Sequence, residues 1–150
     1  MSHYRKIDTR IWNDEKFNSL SHHAKLAFVF VLTHPNMTSL GAMRGTIAGL
    51  SDELEVLPKA FQEPFDKGLL KADDKAKIIY APNFLKYNKP ENPNVVKAWG
   101  KAFEMLPEGE TKHEIYYKVK CCIKDYGKGF QEVFQKVFGK EYPKTVSSEQ

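Results

Sequence analysis

Apolar residues recur along this chain at helical spacing, then at alternating spacing, then at helical spacing again. Ala24, Ala27, Phe28 and Val31 share one face of a first helix. Ser21 can cap its open N–H groups, Leu20 can act as a staple residue, and His34-Pro35-Asn36 ends it. The short apolar run 39–43, followed by Arg44-Gly45, predicts a brief strand. Thr46 then caps a second helix with Ile47, Leu50 and Leu54 inward. After a turn at Glu55-Val56, Pro58 suits the first position of a third helix, where a missing N–H costs nothing. Phe61, Phe65 and Leu69 carry its apolar face and Gly68 marks its end. Pro64 inside that helix is expected to disturb the hydrogen bond to the carbonyl of Ala60. Residues 69–72 and 77–81, joined by Asp73-Asp74-Lys75, predict an antiparallel hairpin.

On the amino-terminal side, residues 1–20 read as an irregular arm that lays Tyr4, Ile7, Ile11, Trp12, Phe17 and Leu20 onto a core. On the other side, residues 82–93 form a connector rich in proline and asparagine, too irregular for a helix or strand. Asn94 is expected to cap a helix with Val95, Trp99, Phe103 and Leu106 inward, stopped by Pro107. Thr111 and Glu114 have capping-box spacing for a further helix bearing Ile115, Val119, Cys122, Ile123 and Tyr126. Phe130, Phe134 and Phe138, with Val133 and Val137 beside them, put an apolar stripe on a last short helix. A polar tail begins at Lys140 and is expected to be disordered.

Helix, strand, helix, turn, helix, hairpin is the order of a winged helix, in which a helix-turn-helix supplies a reading helix and the hairpin a wing. The expected fold class is therefore α+β and mainly helical: a winged helix-turn-helix with a small antiparallel hairpin wing and a carboxyl-terminal helical extension. Residues 1–90 would form the winged helix with its arm, 91–138 the extension and 139–150 the tail.

Composition narrows the function classes. The chain of 150 residues holds apolar residues enough for a single core. No apolar run approaches the length of a membrane span and the first residues lack a signal-peptide core, so a cytoplasmic protein without membrane partners is expected. The two cysteines, Cys121 and Cys122, are chain neighbours in helical context and carry no metal-ligand spacing, which fits a reducing compartment. The net charge of +4 mildly favours an anionic partner. No glycine-rich phosphate loop, paired-carboxylate motif or nucleophile elbow is present, and no catalytic residue, metal or cofactor is expected. His22 and His23 are adjacent and point to different helix faces, which disfavours a shared metal.

The candidate chemistry is nucleic-acid binding. With Phe61 and Phe65 inward, Lys59, Gln62, Glu63, Asp66 and Lys67 face outward from the third helix. Lys59 and Gln62 suit base edges in a major groove, with Lys67 beside them. An ordinary solvated face fits the same residues equally well, since Glu63 and Asp66 repel phosphates unless they lie away from the groove. In the hairpin, Lys71, Lys75 and Lys77 can meet phosphates, or serve solubility alone. Arg44 lies where it can reach a phosphate, and Arg5 and Lys6, with Arg10, could enter a minor groove or simply face solvent.

Several blocks resemble, in order, a family of prophage-encoded replication proteins of the replication-initiation or replisome-organiser type, which carry an amino-terminal winged helix. They are Tyr4-Arg5-Lys6-Ile7-Asp8 with Ile11-Trp12-Asn13-Asp14, Leu32-Thr33-His34-Pro35, and Thr38-Ser39-Leu40-Gly41-Ala42-Met43-Arg44. Pro82-Asn83-Phe84-Leu85-Lys86-Tyr87-Asn88 and Pro93-Asn94-Val95-Val96-Lys97 complete the set. The chain departs from that pattern at Leu57, where a polar cap is expected, and at Pro64. The resemblance implies binding to double-stranded origin DNA and recruitment of host replication proteins, a helicase or helicase loader among them. A winged-helix transcriptional regulator and a winged helix used as a protein-interaction module are the competing readings. Monomer and dimer both stay open.

Overall fold

Side-chain caps set where several of the helices begin. The computed structural model describes residues 4–139. Asp14 accepts the N–H of Phe17 and opens a short helix, α1 (Glu15–Asn18). Ser21 accepts the N–H of Ala24 and opens α2 (His22–Thr33), which buries Ala24, Ala27, Phe28 and Val31. A strand, β1 (Ala42–Arg44), follows. Thr46 accepts the N–H of Gly49 and opens α3 (Ile47–Leu54). Glu55, left-handed at φ 61°, turns the chain toward α4 (Lys59–Asp66).

The hairpin consists of β2 (Lys71–Asp73) and β3 (Ile78–Tyr80). Both strands are antiparallel to their neighbours and the sheet order is β1-β3-β2, with Ala42 and Lys71 both opposite Tyr80 and with Arg44 and Asp73 both opposite Ile78. The central strand is buried along its whole length, as three apolar residues between two strands and the helices require. A short helix α5 (Phe84–Tyr87) leads to α6 (Pro93–Glu104), α7 (Glu110–Ile123) and α8 (Lys128–Phe138). The architecture is α+β and mostly helical, with one small antiparallel sheet.

The buried apolar residues form a contiguous core from Phe17 to Phe138. The α6 and α8 faces approach closely at Gly100, where an added Cβ would stand 2.7 Å from the Cβ of Val137. Gly41 holds φ +84° with the side chain of Phe84 against it, so both conformation and space exclude a side chain there. The Nζ of Lys112 on α7 is buried, donates to the carbonyl of Leu106 at 3.0 Å and lies 4.9 Å from the centre of the Phe103 ring.

Four expectations are corrected. The connector contains the regular helix α5, because Phe84 and Leu85 are buried together and draw one turn of backbone with them. Asn92, not Asn94, caps α6; Pro93 takes the first helical position and its neighbour's carboxamide oxygen reaches the Asn94 N–H at 2.9 Å. No capping box forms at Thr111, which lies inside α7 and donates instead to Asp73. The arm is partly regular, with a 3-10 turn over Thr9–Asn13; that turn leaves Trp12 63% exposed, its ring edge-on to Phe17. Pro64 does not break α4. Its ring is buried in the core, and its carbonyl receives the N–H of Leu69 at 2.9 Å. The tail from Lys140 lies outside the described residues.

Candidate nucleic-acid interface

The outward face of α4 follows from what its inward face buries. Ala60, Phe61 and Pro64 turn into the core, where α4 packs against α2. Lys59, Gln62, Asp66 and Lys67 are left exposed. The Nε2 of Gln62 donates to Asp66 Oδ1 at 2.9 Å, so each carries a partner one turn away. Glu63 is turned aside: its carboxylate accepts the Ser21 N–H at 3.0 Å and the Ser21 hydroxyl at 2.6 Å. Those two donors, with Lys67 and Lys59 nearby, hold its carboxyl below the usual range. Neither Lys59 nor Lys67 forms an ion pair with a described residue.

At the hairpin, Arg44 stands opposite Ile78 while the next residue, Gly45, donates its N–H to the Lys77 carbonyl at 2.8 Å. Arg44, Lys75 and Lys77 thus gather at the loop end of the sheet, all three exposed. Asp73 shapes this loop by accepting the Ala76 N–H at 2.9 Å and the Lys75 N–H at 3.1 Å. It also accepts the Thr111 hydroxyl at 2.5 Å, and these bonds, Thr111 foremost, keep its carboxyl below the ordinary value. Lys71 sits at the opposite end of β2 and pairs with Glu114 of α7 at 3.3 Å. It is therefore separated from the other hairpin cations.

The arm folds back on the body. Arg5 donates to the Met37 carbonyl, and burial pulls its pKa down. Lys6 pairs with Glu91 at 2.8 Å, and Arg10 with Asp8 at 2.7 Å, which lowers the Asp8 pKa to about 2. Of the predicted contacts, Lys59, Gln62 and Lys67 share one helix face and Arg44, Lys75 and Lys77 one sheet end, whereas Lys71, Arg5 and Lys6 are engaged within the chain.

Two concavities flank α2. An open groove of about 700 Å³ runs between the starts of α2 and α4, lined by His22, His23, Lys25, Leu57, Lys59 and Glu63 among others. A cleft of about 440 Å³ beneath the arm is lined by Ile7, Ile11, Phe28, Leu32, Phe84 and Tyr87 with Lys86 at its edge. The groove residues on α2 escaped the sequence reading because nothing local to Ser21 signals Glu63, 42 positions away. Among the described residues no group of three or more His, Cys, Asp and Glu side chains is placed to hold a metal, and no helix is long and apolar enough to cross a membrane. Cys121 and Cys122 are unbridged. Comparison of the chain with family models, with curated proteins and with solved structures returns no match.

Proposed function

We propose that this chain is a winged helix-turn-helix protein that binds duplex DNA, serving phage or prophage replication at origin DNA with a host helicase or helicase loader as its protein partner. The observation that carries the reading is the succession α2, β1, α3, turn, α4, hairpin, with β3 lying between β2 and β1. In such an arrangement α4 enters the major groove and the hairpin loop meets the backbone. Lys59 and Gln62 are then the base-edge residues, the Gln62 carboxamide exchanging Asp66 for a base. Lys67, Arg44, Lys75 and Lys77 supply phosphate contacts. The replication role rests on the resemblance of the sequence blocks, since a transcriptional regulator can use the same fold.

Titration of labelled duplex DNA at several salt concentrations tests it. Binding at low salt should weaken linearly in log–log form, with the slope about one smaller for Lys59→Ala. Gln62→Ala should cost about 1–3 kcal/mol on a preferred sequence and little on a random one. Absence of binding at low salt overturns the proposal. Co-elution of the purified protein with helicase or loader supports replication, and its failure with DNA binding intact favours regulation. A second reading, a protein-interaction module, draws on the apolar cleft beneath the arm, half-exposed Tyr87 included.

A further inference from the structure

The open groove between α2 and α4 has the chemistry of an anion seat. Lys25 and His22 and His23 come to it from α2, and Lys59 comes from α4. Its one acidic lining residue, Glu63, has its carboxylate engaged by the Ser21 N–H and hydroxyl. Ser21 itself lines the groove, so the carboxylate keeps its charge there, one anion beside two lysines and two histidines. Asn18, from the end of α1, also lines the groove, with its carboxamide N–H donated to the Trp12 carbonyl at 2.6 Å. Lys25 is half-buried, and its Nζ lies over the Phe17 ring, 5.9 Å from the ring centre. Lys59 also belongs to the exposed face of α4, so the groove and that face are continuous.

The geometry points to a second DNA contact: the groove takes a backbone phosphate of the same duplex whose bases face α4, with Lys25 and Lys59 as its cations and His22 and His23 as hydrogen-bond donors. This rests on the duplex-DNA reading above and extends its footprint from α4 onto α2. A phosphate contact of this kind carries no sequence information but fixes how α4 lies along the duplex.

The test measures affinity and salt slope on two unrelated duplexes for the full chain and for Lys25→Met, Lys25→Arg and the pair His22→Ala with His23→Ala. Lys120→Ala, on an exposed position of α7, controls for net charge. Lys25→Met keeps an unbranched side chain of similar length without the charge, and thermal unfolding verifies that it folds. The expected result is a slope smaller by about 0.9 for Lys25→Met, its affinity deficit narrowing about threefold between 50 and 200 mM salt. That loss should be equal on both duplexes, Lys25→Arg should restore it, and the histidine pair should weaken binding on both. If Lys25→Met matches Lys120→Ala while the unmodified chain binds DNA, the groove contact is overturned and the DNA reading stands. If the unmodified chain binds no duplex at low salt, both fall together.

Discussion

The Glu63 carboxylate receives both the N–H and the hydroxyl of Ser21, so the residue that caps α2 is itself held by α4. Ser21 thereby joins two helices that are distant in sequence. A Glu63→Ala substitution should cost about 1 kcal/mol, the usual net worth of such bonds, read as a shift of the urea midpoint. A double-mutant cycle with Ser21→Ala should show that the two losses are not additive.

The same pair predicts a pH dependence. Because the folded pKa of Glu63 lies below its ordinary value of 4.5, its contribution to stability is present above that value and is lost as pH falls through the folded pKa. Unfolding measured from pH 7 downward should therefore show the difference between the unmodified chain and Glu63→Gln shrinking below about pH 4.5. A difference constant down to pH 3 would contradict the bond.

Asp73 ties the hairpin to α7. Thr111→Val removes the hydroxyl that it accepts and should destabilise by about 1 kcal/mol. Asp73→Ala also releases the N–H groups of Lys75 and Ala76 and should cost more, with faster amide exchange in the loop.

The α6–α8 contact leaves no room at Gly100. Gly100→Ala should destabilise by about 1–3 kcal/mol through overpacking against Val137, although alanine is the better helix former. Adding Val137→Ala should recover part of the loss. A stabilised single variant, measured by calorimetry, would mean that the helices are not in this contact.

Lys112 is a buried ammonium held by one carbonyl, a ring face and Glu108 at 3.2 Å. Lys112→Met keeps the stem and leaves the Leu106 carbonyl without its donor, which should cost about 1–3 kcal/mol in denaturant unfolding.

Periodicity and capping in the sequence located the long elements well, because those signals are local. Ser21 and Thr46 cap the helices they precede, and Pro58 leads into α4 as its missing N–H allows. Where the local signal met a tertiary demand, the tertiary demand won. Thr111 has the spacing of a capping residue and is spent on Asp73, 38 positions away. Pro64 has no N–H to give the Ala60 carbonyl, as its position in the sequence implies, and α4 nonetheless continues to Asp66 with the proline ring buried. The candidate surface was legible in part for the same reason: outward residues of α4 follow from period, whereas the partners of Lys71, Lys6 and Arg5 come from segments that only folding brings near.

The hairpin is fastened on its far side. Thr111 and Glu114 grip Asp73 and Lys71, and α5 lies against the same helix. The carboxyl-terminal helices are then less an appendage than a foundation. A chain ended at residue 90 would leave the loop bearing Lys75 and Lys77 without its footing and strip the cover from Phe84 and Leu85, so a shortened version meant to isolate DNA binding should lose the surface it was made to study.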